Sequence, residues 1–157
     1  MKYKLQSNGL LLLLLFALSG CAVHMVSDYD SRTETSVSNI RTQLTRLFFE
    51  LEDQVEKPEE CTYQNHADKY KQVWVDLDLM TMRERAKSKN KTTSKQVSVL
   101  DEALKKLQKK HRRACLDRVE IALLNESLTG MLDSILRFEL AKLRGAPKPY
   151  TLTPAGL

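Results

Sequence analysis

A long central part of this chain contains almost none of the residues that break helices. Between Asp28 and Leu143, Pro58 is the only proline and Gly130 is the only glycine. Sheets and phosphate-binding loops need turns, and glycine and proline are the residues that favour turns. The feature therefore favours an all-helical domain.

Apolar side chains in this region recur every three or four residues, which is the spacing of one helix face. The pattern divides into four segments, which begin near Val37, Tyr63, Val97 and Ile121. We predict an all-α domain over residues 31–145, an antiparallel up-down-up-down four-helix bundle. A three-helix domain, with the third and fourth segments continuous through Cys115, is the alternative. We find no internal sequence repeat.

Two short motifs predict where helices begin. Ser31 with Glu34, and Thr93 with Gln96, have the spacing of capping boxes at the starts of the first and third helices. At the other end of the domain, proline and glycine become frequent, and we predict an extended, flexible tail over residues 146–157.

The amino terminus carries a segment of a different kind. Two lysines precede an apolar run over residues 10–18. Its last residue begins the motif Leu-Ser-Gly-Cys at residues 18–21. This is the layout of a secretory signal peptide. The apolar run would make a helix of about 13 Å, too short to cross a hydrocarbon core about 30 Å thick. The Leu-Ser-Gly-Cys ending resembles the lipobox of bacterial lipoproteins, in which the cysteine is lipidated and the preceding peptide is removed.

The resemblance implies a signal peptide over residues 1–20 and a lipidated tether over residues 21–30. Acyl chains such as palmitate on Cys21 would hold the protein on a membrane, because two or more chains make a stable anchor. Ala22 is not the aspartate that retains similar enterobacterial lipoproteins at the inner membrane. The resemblance therefore implies the outer membrane, on its periplasmic face. An ordinary secreted protein with a chance cysteine is the alternative.

Assigning Cys21 to lipid leaves an even pair of cysteines, Cys61 and Cys115. The four-helix topology places both at one end of the bundle, and we predict a disulfide between them in the oxidising periplasm. His66 and His111 fall near the same end, so a zinc site of two cysteines and two histidines is one alternative. Two unpaired thiols are the other. We expect neither a metal nor another cofactor.

The charge distribution predicts a contact surface. Without the signal peptide the formal net charge falls from +5 to +3, too mild to indicate a nucleic-acid binder. Basic residues cluster at the end of the bundle opposite the cysteines, where they are candidate contacts for a membrane or a partner. They are Arg83, Arg85, Lys87, Lys89, Lys91 and Lys95. A solvated face that complements the acidic first helix is the alternative.

The sequence contains no recognisable catalytic, phosphate-loop or dinucleotide motif. We therefore predict a non-enzymatic structural, assembly or interaction factor of the cell envelope, with an envelope protein as partner. A lipid anchor, a helical domain and a single disulfide are similar to the pilotins of secretion complexes. That alternative implies an exposed apolar groove for a partner helix. A metal- or stress-sensing lipoprotein is the second alternative.

Overall fold

The computed structural model describes residues 26–145 and consists there of four helices. They are α1 (Ser31–Asp53), α2 (Tyr63–Ala86), α3 (Lys91–His111) and α4 (Arg118–Gly145). The signal peptide, Cys21, Ala22 and the predicted tail lie outside the described residues. Among the described residues no strand occurs, so the predicted fold class is confirmed.

The helices stand at the corners of a square. α1 and α3 each contact both α2 and α4, whereas the diagonal pairs make no comparable contact within residues 26–145. Short connections make each helix antiparallel to the next, as the up-down-up-down topology requires. The chain leaves the helical conformation between His111 and Arg118. The three-helix alternative is therefore wrong.

One apolar face from every helix enters a single core. Its fully buried members include Ile40, Leu47, Leu77, Met80, Leu100, Leu107, Leu132 and Ile135. Each such side chain contributes about 1.5–3 kcal/mol relative to an exposed position. The three-four spacing that predicted the helices is thus the spacing of the buried residues.

The helix starts differ from the predicted capping boxes. The N-cap of α1 is Asp30, whose carboxylate accepts a hydrogen bond from the backbone N–H of Arg32 at 2.9 Å. The N-cap of α3 is Asn90, so α3 begins before Thr93. Thr93 is buried, as is Thr33 in α1, and both hydroxyls hydrogen-bond to carboxylates in the core. Both capping boxes were therefore wrong predictions.

The buried positions reveal an internal repeat. In the first helix of each half, Thr33, Val37, Ile40, Leu44 and Leu47 correspond at one constant offset to Thr93, Val97, Leu100, Leu104 and Leu107. In the second helix, His66, Val73, Leu77, Met80 and Glu84 correspond at another offset to Ile121, Leu128, Leu132, Ile135 and Glu139. The domain is therefore two similar helical hairpins: hairpin one is α1 with α2, and hairpin two is α3 with α4. A shorter connection in hairpin two changes the offset, which hides the repeat from comparison at a single offset.

The two hairpins are joined at one end by the cysteines, which we call the cysteine end. The sulfur atoms of Cys61 and Cys115 lie at disulfide-bonding distance, with their Cα atoms 5.5 Å apart. Cys61 precedes α2 and Cys115 precedes α4, so the bond links one hairpin to the other. The predicted disulfide pair is confirmed, and it leaves neither sulfur free to bind a metal.

Replacing both cysteines by serine is expected to lower the free energy of unfolding by about 4 kcal/mol in the chain-entropy account of a loop of this length. The Cys61→Ser/Cys115→Ser variant would be compared with the wild-type protein by urea denaturation. The wild-type protein measured with and without reductant is the control. Equal urea midpoints for the oxidised and reduced wild-type protein would contradict the prediction.

Candidate functional site

The end of the bundle opposite the cysteines contains a buried polar network. We call it the tether end; it comprises residues 26–30, the α2–α3 connection and the last turns of α4. Glu84 and Lys87 lie at the end of α2, and Glu139 and Lys142 occupy the corresponding positions of α4. Both glutamate side chains are completely buried. Each hairpin therefore carries one carboxylate inside the bundle with a lysine three residues later.

In hairpin one, the carboxylate of Glu84 accepts hydrogen bonds from Lys87 at 2.6 Å and from the hydroxyl of Thr33 at 2.5 Å. The ammonium group of Lys87 also pairs with Asp30 at 2.7 Å. Burial alone raises the pKa of the Glu84 carboxyl, but hydrogen bonds from Lys87, Thr33 and Asn90 outweigh it and hold the pKa below its usual value. Glu84 is therefore ionised at neutral pH.

Hairpin two repeats this arrangement. The carboxylate of Glu139 accepts hydrogen bonds from Lys142 at 2.5 Å and from the hydroxyl of Thr93 at 3.0 Å. Lys142 also donates to the side-chain oxygen of Asn90 at 3.1 Å. Asn90 thus occupies the place that Asp30 has in hairpin one. The same three kinds of contact occur twice, once in each hairpin.

The network also binds the chain segment that precedes α1. Ser27 donates its backbone N–H to the carbonyl of Lys89 at 3.1 Å and its hydroxyl to Asn90 at 2.7 Å. Lys142 donates to the Ser27 hydroxyl at 3.0 Å. The second half of the predicted tether is therefore held against the start of α3 and the end of α4.

Two of the six predicted contact residues, Arg83 and Lys87, bind other residues of the tether end. Arg83 donates to the Ser36 hydroxyl at 2.6 Å and to the carbonyl of Arg32 at 3.2 Å. Lys87 belongs to the network described above, and its ion pairs with Asp30 and Glu84 raise the pKa of its ammonium group although burial opposes this. Both side chains are half-buried, so they hold the bundle together at this end.

The other four predicted contact residues are exposed. They are Arg85, Lys89, Lys91 and Lys95. They form no ion pair with another residue of the described part of the chain. These four are available to a membrane surface or a partner, and Lys91 and Lys95 also border a groove described below.

At the cysteine end, His111 is held as a neutral ring. Its Nε2–H donates to the carbonyl of Cys61 at 2.8 Å, and its Nδ1 accepts from the Tyr70 hydroxyl at 2.9 Å. Burial lowers the pKa of His111 and raises that of Tyr70. Both ring nitrogens are thus occupied by protein groups.

His66 lies beside His111, with ring centroids 5.7 Å apart. Its Nε2 hydrogen-bonds to the side-chain oxygen of Gln54 at 2.8 Å, and burial followed by the nearby His111 lowers its pKa. Within residues 26–145, no group of three histidine, cysteine or acidic side chains is arranged to hold a metal ion. The predicted zinc alternative therefore has no ligand set in this region.

The aromatic residues of α2 pack into the bundle near the cysteine end. Tyr70 is buried, and Tyr63 and Trp74 pack against the core. The indole N–H of Trp74 donates to Gln108 at 3.1 Å, which in turn donates to the Tyr63 hydroxyl at 2.7 Å. Since these polar atoms are satisfied within the protein, the cluster stabilises the core.

An apolar groove lies between α3 and α4, beside Gly130. Its volume is about 600 Å³. Small or apolar side chains line most of it, and Lys91 and Lys95 border it towards the tether end. The domain thus has an exposed and largely apolar groove between α3 and α4.

Comparison with protein-family models, with curated proteins and with solved structures finds no match for this chain. Among the described residues, none of the four helices is both long enough and apolar enough to cross a bilayer.

Replacing Lys142 by methionine is expected to cost about 3–5 kcal/mol of unfolding free energy, because it leaves the Glu139 carboxylate buried without its cation. The double variant Glu139→Leu/Lys142→Met is expected to lose less than Lys142→Met alone. Urea denaturation measures both. The control is Lys105→Met, which breaks an exposed pair with Asp101 and is expected to cost at most about 1 kcal/mol. Equal effects of Lys142→Met and Lys105→Met would contradict the prediction.

The stability of the domain is expected to fall as the pH drops below about 6.5, the ordinary pKa of histidine. His111 has a lowered pKa in the folded protein, so the unfolded chain binds the proton first and unfolding becomes easier. His111→Gln keeps a donor for Cys61 and an acceptor for Tyr70 but does not titrate. We expect this variant to show a weaker pH dependence of unfolding free energy between pH 7 and 5, and an unchanged slope would contradict the assignment.

Proposed function

We propose that this chain is a lipoprotein anchored through Cys21 in the outer membrane, on its periplasmic face, where it serves as a non-enzymatic structural, assembly or interaction factor of the cell envelope. The observation that carries the proposal is the binding of Ser27 to the tether end by Lys89, Asn90 and Lys142. The chain that leads back to Cys21 leaves the domain at this end. An anchor at Cys21 would therefore hold the protein by its tether end.

The length of the remaining tether keeps the domain near the bilayer. Five residues, 22–26, separate Cys21 from Ser27. Fully extended, the six steps from Cys21 to Ser27 reach only about 21 Å. The tether end of an anchored protein therefore lies close to the lipid headgroups, and the cysteine end points into the periplasm.

The exposed charges at the tether end suit this orientation. Arg85, Lys89 and Lys91 are basic, exposed and without an ion-pair partner in the described region. Each basic residue near an anionic surface contributes about 1 kcal/mol of attraction. These residues would hold the bundle upright on headgroup phosphates and leave its sides free for an envelope protein.

The anchor and the orientation can be tested in one experiment in cells. A photocrosslinking residue is placed at Lys89 in the tether end or at Lys109, an exposed residue at the cysteine end. We expect lipid adducts from position 89 and none from position 109. In the Cys21→Ser variant we expect no acyl chain by mass spectrometry, loss of the protein from the membrane fraction, and loss of the lipid adducts.

Position 109 is the matched control, because it is also an exposed lysine but lies at the opposite end of the bundle. An acylated Cys21→Ser protein would contradict the anchor assignment. Lipid adducts of equal yield at both positions would contradict the orientation. Envelope proteins captured from either position in the wild-type protein, and lost from the Cys21→Ser variant, would identify the partner.

A further inference from the structure

Gly130 is a glycine in the middle of α4 that the fold does not require. A Cβ atom added to Gly130 would meet no other atom within 4 Å, so no neighbour needs the space. No described glycine has a positive φ, so backbone conformation does not require it either. Glycine inside a helix costs about 1 kcal/mol relative to alanine. The packing of this bundle therefore does not explain a glycine at this position.

The two-hairpin repeat shows what the corresponding face of hairpin one carries. There, Val75, Leu79 and Met82 form an apolar ridge on α2, with 61%, 44% and 56% of their surfaces exposed. The matching positions in hairpin two are Gly130, Ser134 and Arg137. Hairpin one thus has large apolar side chains at the two positions where hairpin two has Gly130 and Ser134, both of which line the groove, while an exposed Arg137 stands at the third position.

The face between the two helices of a hairpin, next to these positions, also differs between the hairpins. In hairpin one, Asp76 accepts hydrogen bonds from Asn39 at 3.4 Å and from Gln43 at 2.8 Å, which closes the face between α1 and α2. In hairpin two, Val99 takes the place of Asn39 and Met131 that of Asp76. No polar link joins α3 and α4 at these two positions, and Val99 remains exposed there. The polar link in the groove lies elsewhere, where Gln96 donates to the Ser134 hydroxyl at 2.9 Å.

We propose that the groove beside Gly130 binds the α2 ridge of a second copy of this chain. The copies then associate side by side, with the ridge of each copy in the groove of the next. The ridge from Val75 to Met82 is about 10 Å long at 1.5 Å per residue, and the groove from Ser127 to Ser134 has the same length. Val75 and Leu79 fill the space beside Gly130 and Ser134. This is the helix-in-groove mode of recognition.

The charges beside the two surfaces are complementary. Lys95 borders the groove, and Asp78 lies beside the ridge, one helical turn from Val75 and from Met82. Both side chains are exposed, and neither has an ion-pair partner in the described part of its own chain. In the associated form Asp78 of one copy faces Lys95 of the next, which sets the register of the contact.

Association of ridge with groove keeps the bundle axes of all copies pointing in one direction. α1 and α3 run the same way, and α2 and α4 run the opposite way, so the two hairpins are related by a two-fold rotation about the bundle axis. Ridge and groove therefore lie on opposite faces, and copies related by translation can join with parallel axes. Parallel axes would let every copy share one membrane leaflet, and this point alone rests on the proposed anchor. The contact between ridge and groove does not depend on the anchor.

A client helix in a pilotin-like protein would use the same kind of groove. The ridge favours a second copy because it supplies the apolar row, the matching length and the acidic flank on this same chain. Three exposed apolar residues in a row on one helix are themselves typical of an interaction surface.

The test uses two differently tagged full-length copies expressed together and purified in detergent. The wild-type copies are expected to co-purify. Gly130→Leu, which fills the groove, and Leu79→Asp, which disrupts the ridge, are each expected to abolish co-purification when present in both copies. A Gly130→Leu copy with a Leu79→Asp copy is expected to restore it, because one intact ridge then meets one intact groove.

Two variants control for folding and for shared detergent micelles. Gly130→Ala keeps most of the groove, and Val119→Asp changes an exposed apolar residue outside the ridge, so both are expected to co-purify like the wild type. Circular dichroism melting checks that every variant is folded. Wild-type copies that do not co-purify, a Gly130→Leu protein that still does, or a mixed pair that stays separate would each overturn the proposal. Association that appears only after removal of residues 146–157 would also overturn it, because that segment would then be the occupant of the groove.

Discussion

The buried Glu–Lys pairs at the tether end are the interaction on which the rest of the structure depends. Placing an ionised carboxylate inside a protein costs several kcal/mol unless a cation and further donors surround it. Glu84 and Glu139 each meet a lysine and a threonine hydroxyl, and these groups come from different helices. A slip of one helical turn would move a carboxylate about 5.4 Å from its threonine. The network therefore fixes the helix register, which apolar contacts alone would leave less specific.

The parts of the structure that follow from apolar spacing could be predicted from the sequence. The four helices and the pairing of Cys61 with Cys115 followed from spacing and topology. The network could not be predicted in this way, because a lone Glu139 or Lys142 in a helical pattern is most often on the surface. The capping boxes failed for a related reason: Thr93 has the sequence spacing of a cap, but its hydroxyl is satisfied by a carboxylate from another helix.

The repeat provides a sequence signal for the buried Glu–Lys network, which apolar spacing alone does not provide. A threonine near the start of one helix and Glu-x-x-Lys near the end of the next occur in both halves, but at two different offsets. Once the hairpins are aligned, their differences become informative. The tether-end network is kept in both halves, whereas His66 is matched by Ile121 and Val75 by Gly130. The conserved part of the repeat holds the bundle together, and the divergent parts form the histidine cluster, the ridge and the groove.

The two hairpins are joined at both ends, and the two joints differ in kind. At the cysteine end the link is covalent and does not depend on ionisation. At the tether end it consists of hydrogen bonds among polar and charged side chains, and Ser27 contacts both Asn90, the N-cap of α3, and Lys142 of α4. If the protein is anchored at Cys21 as proposed, a force on the tether would be shared by α1, by Asn90 at the start of α3 and by Lys142 of α4. The Ser27 contacts would then keep the force from acting on the first turn of α1 alone.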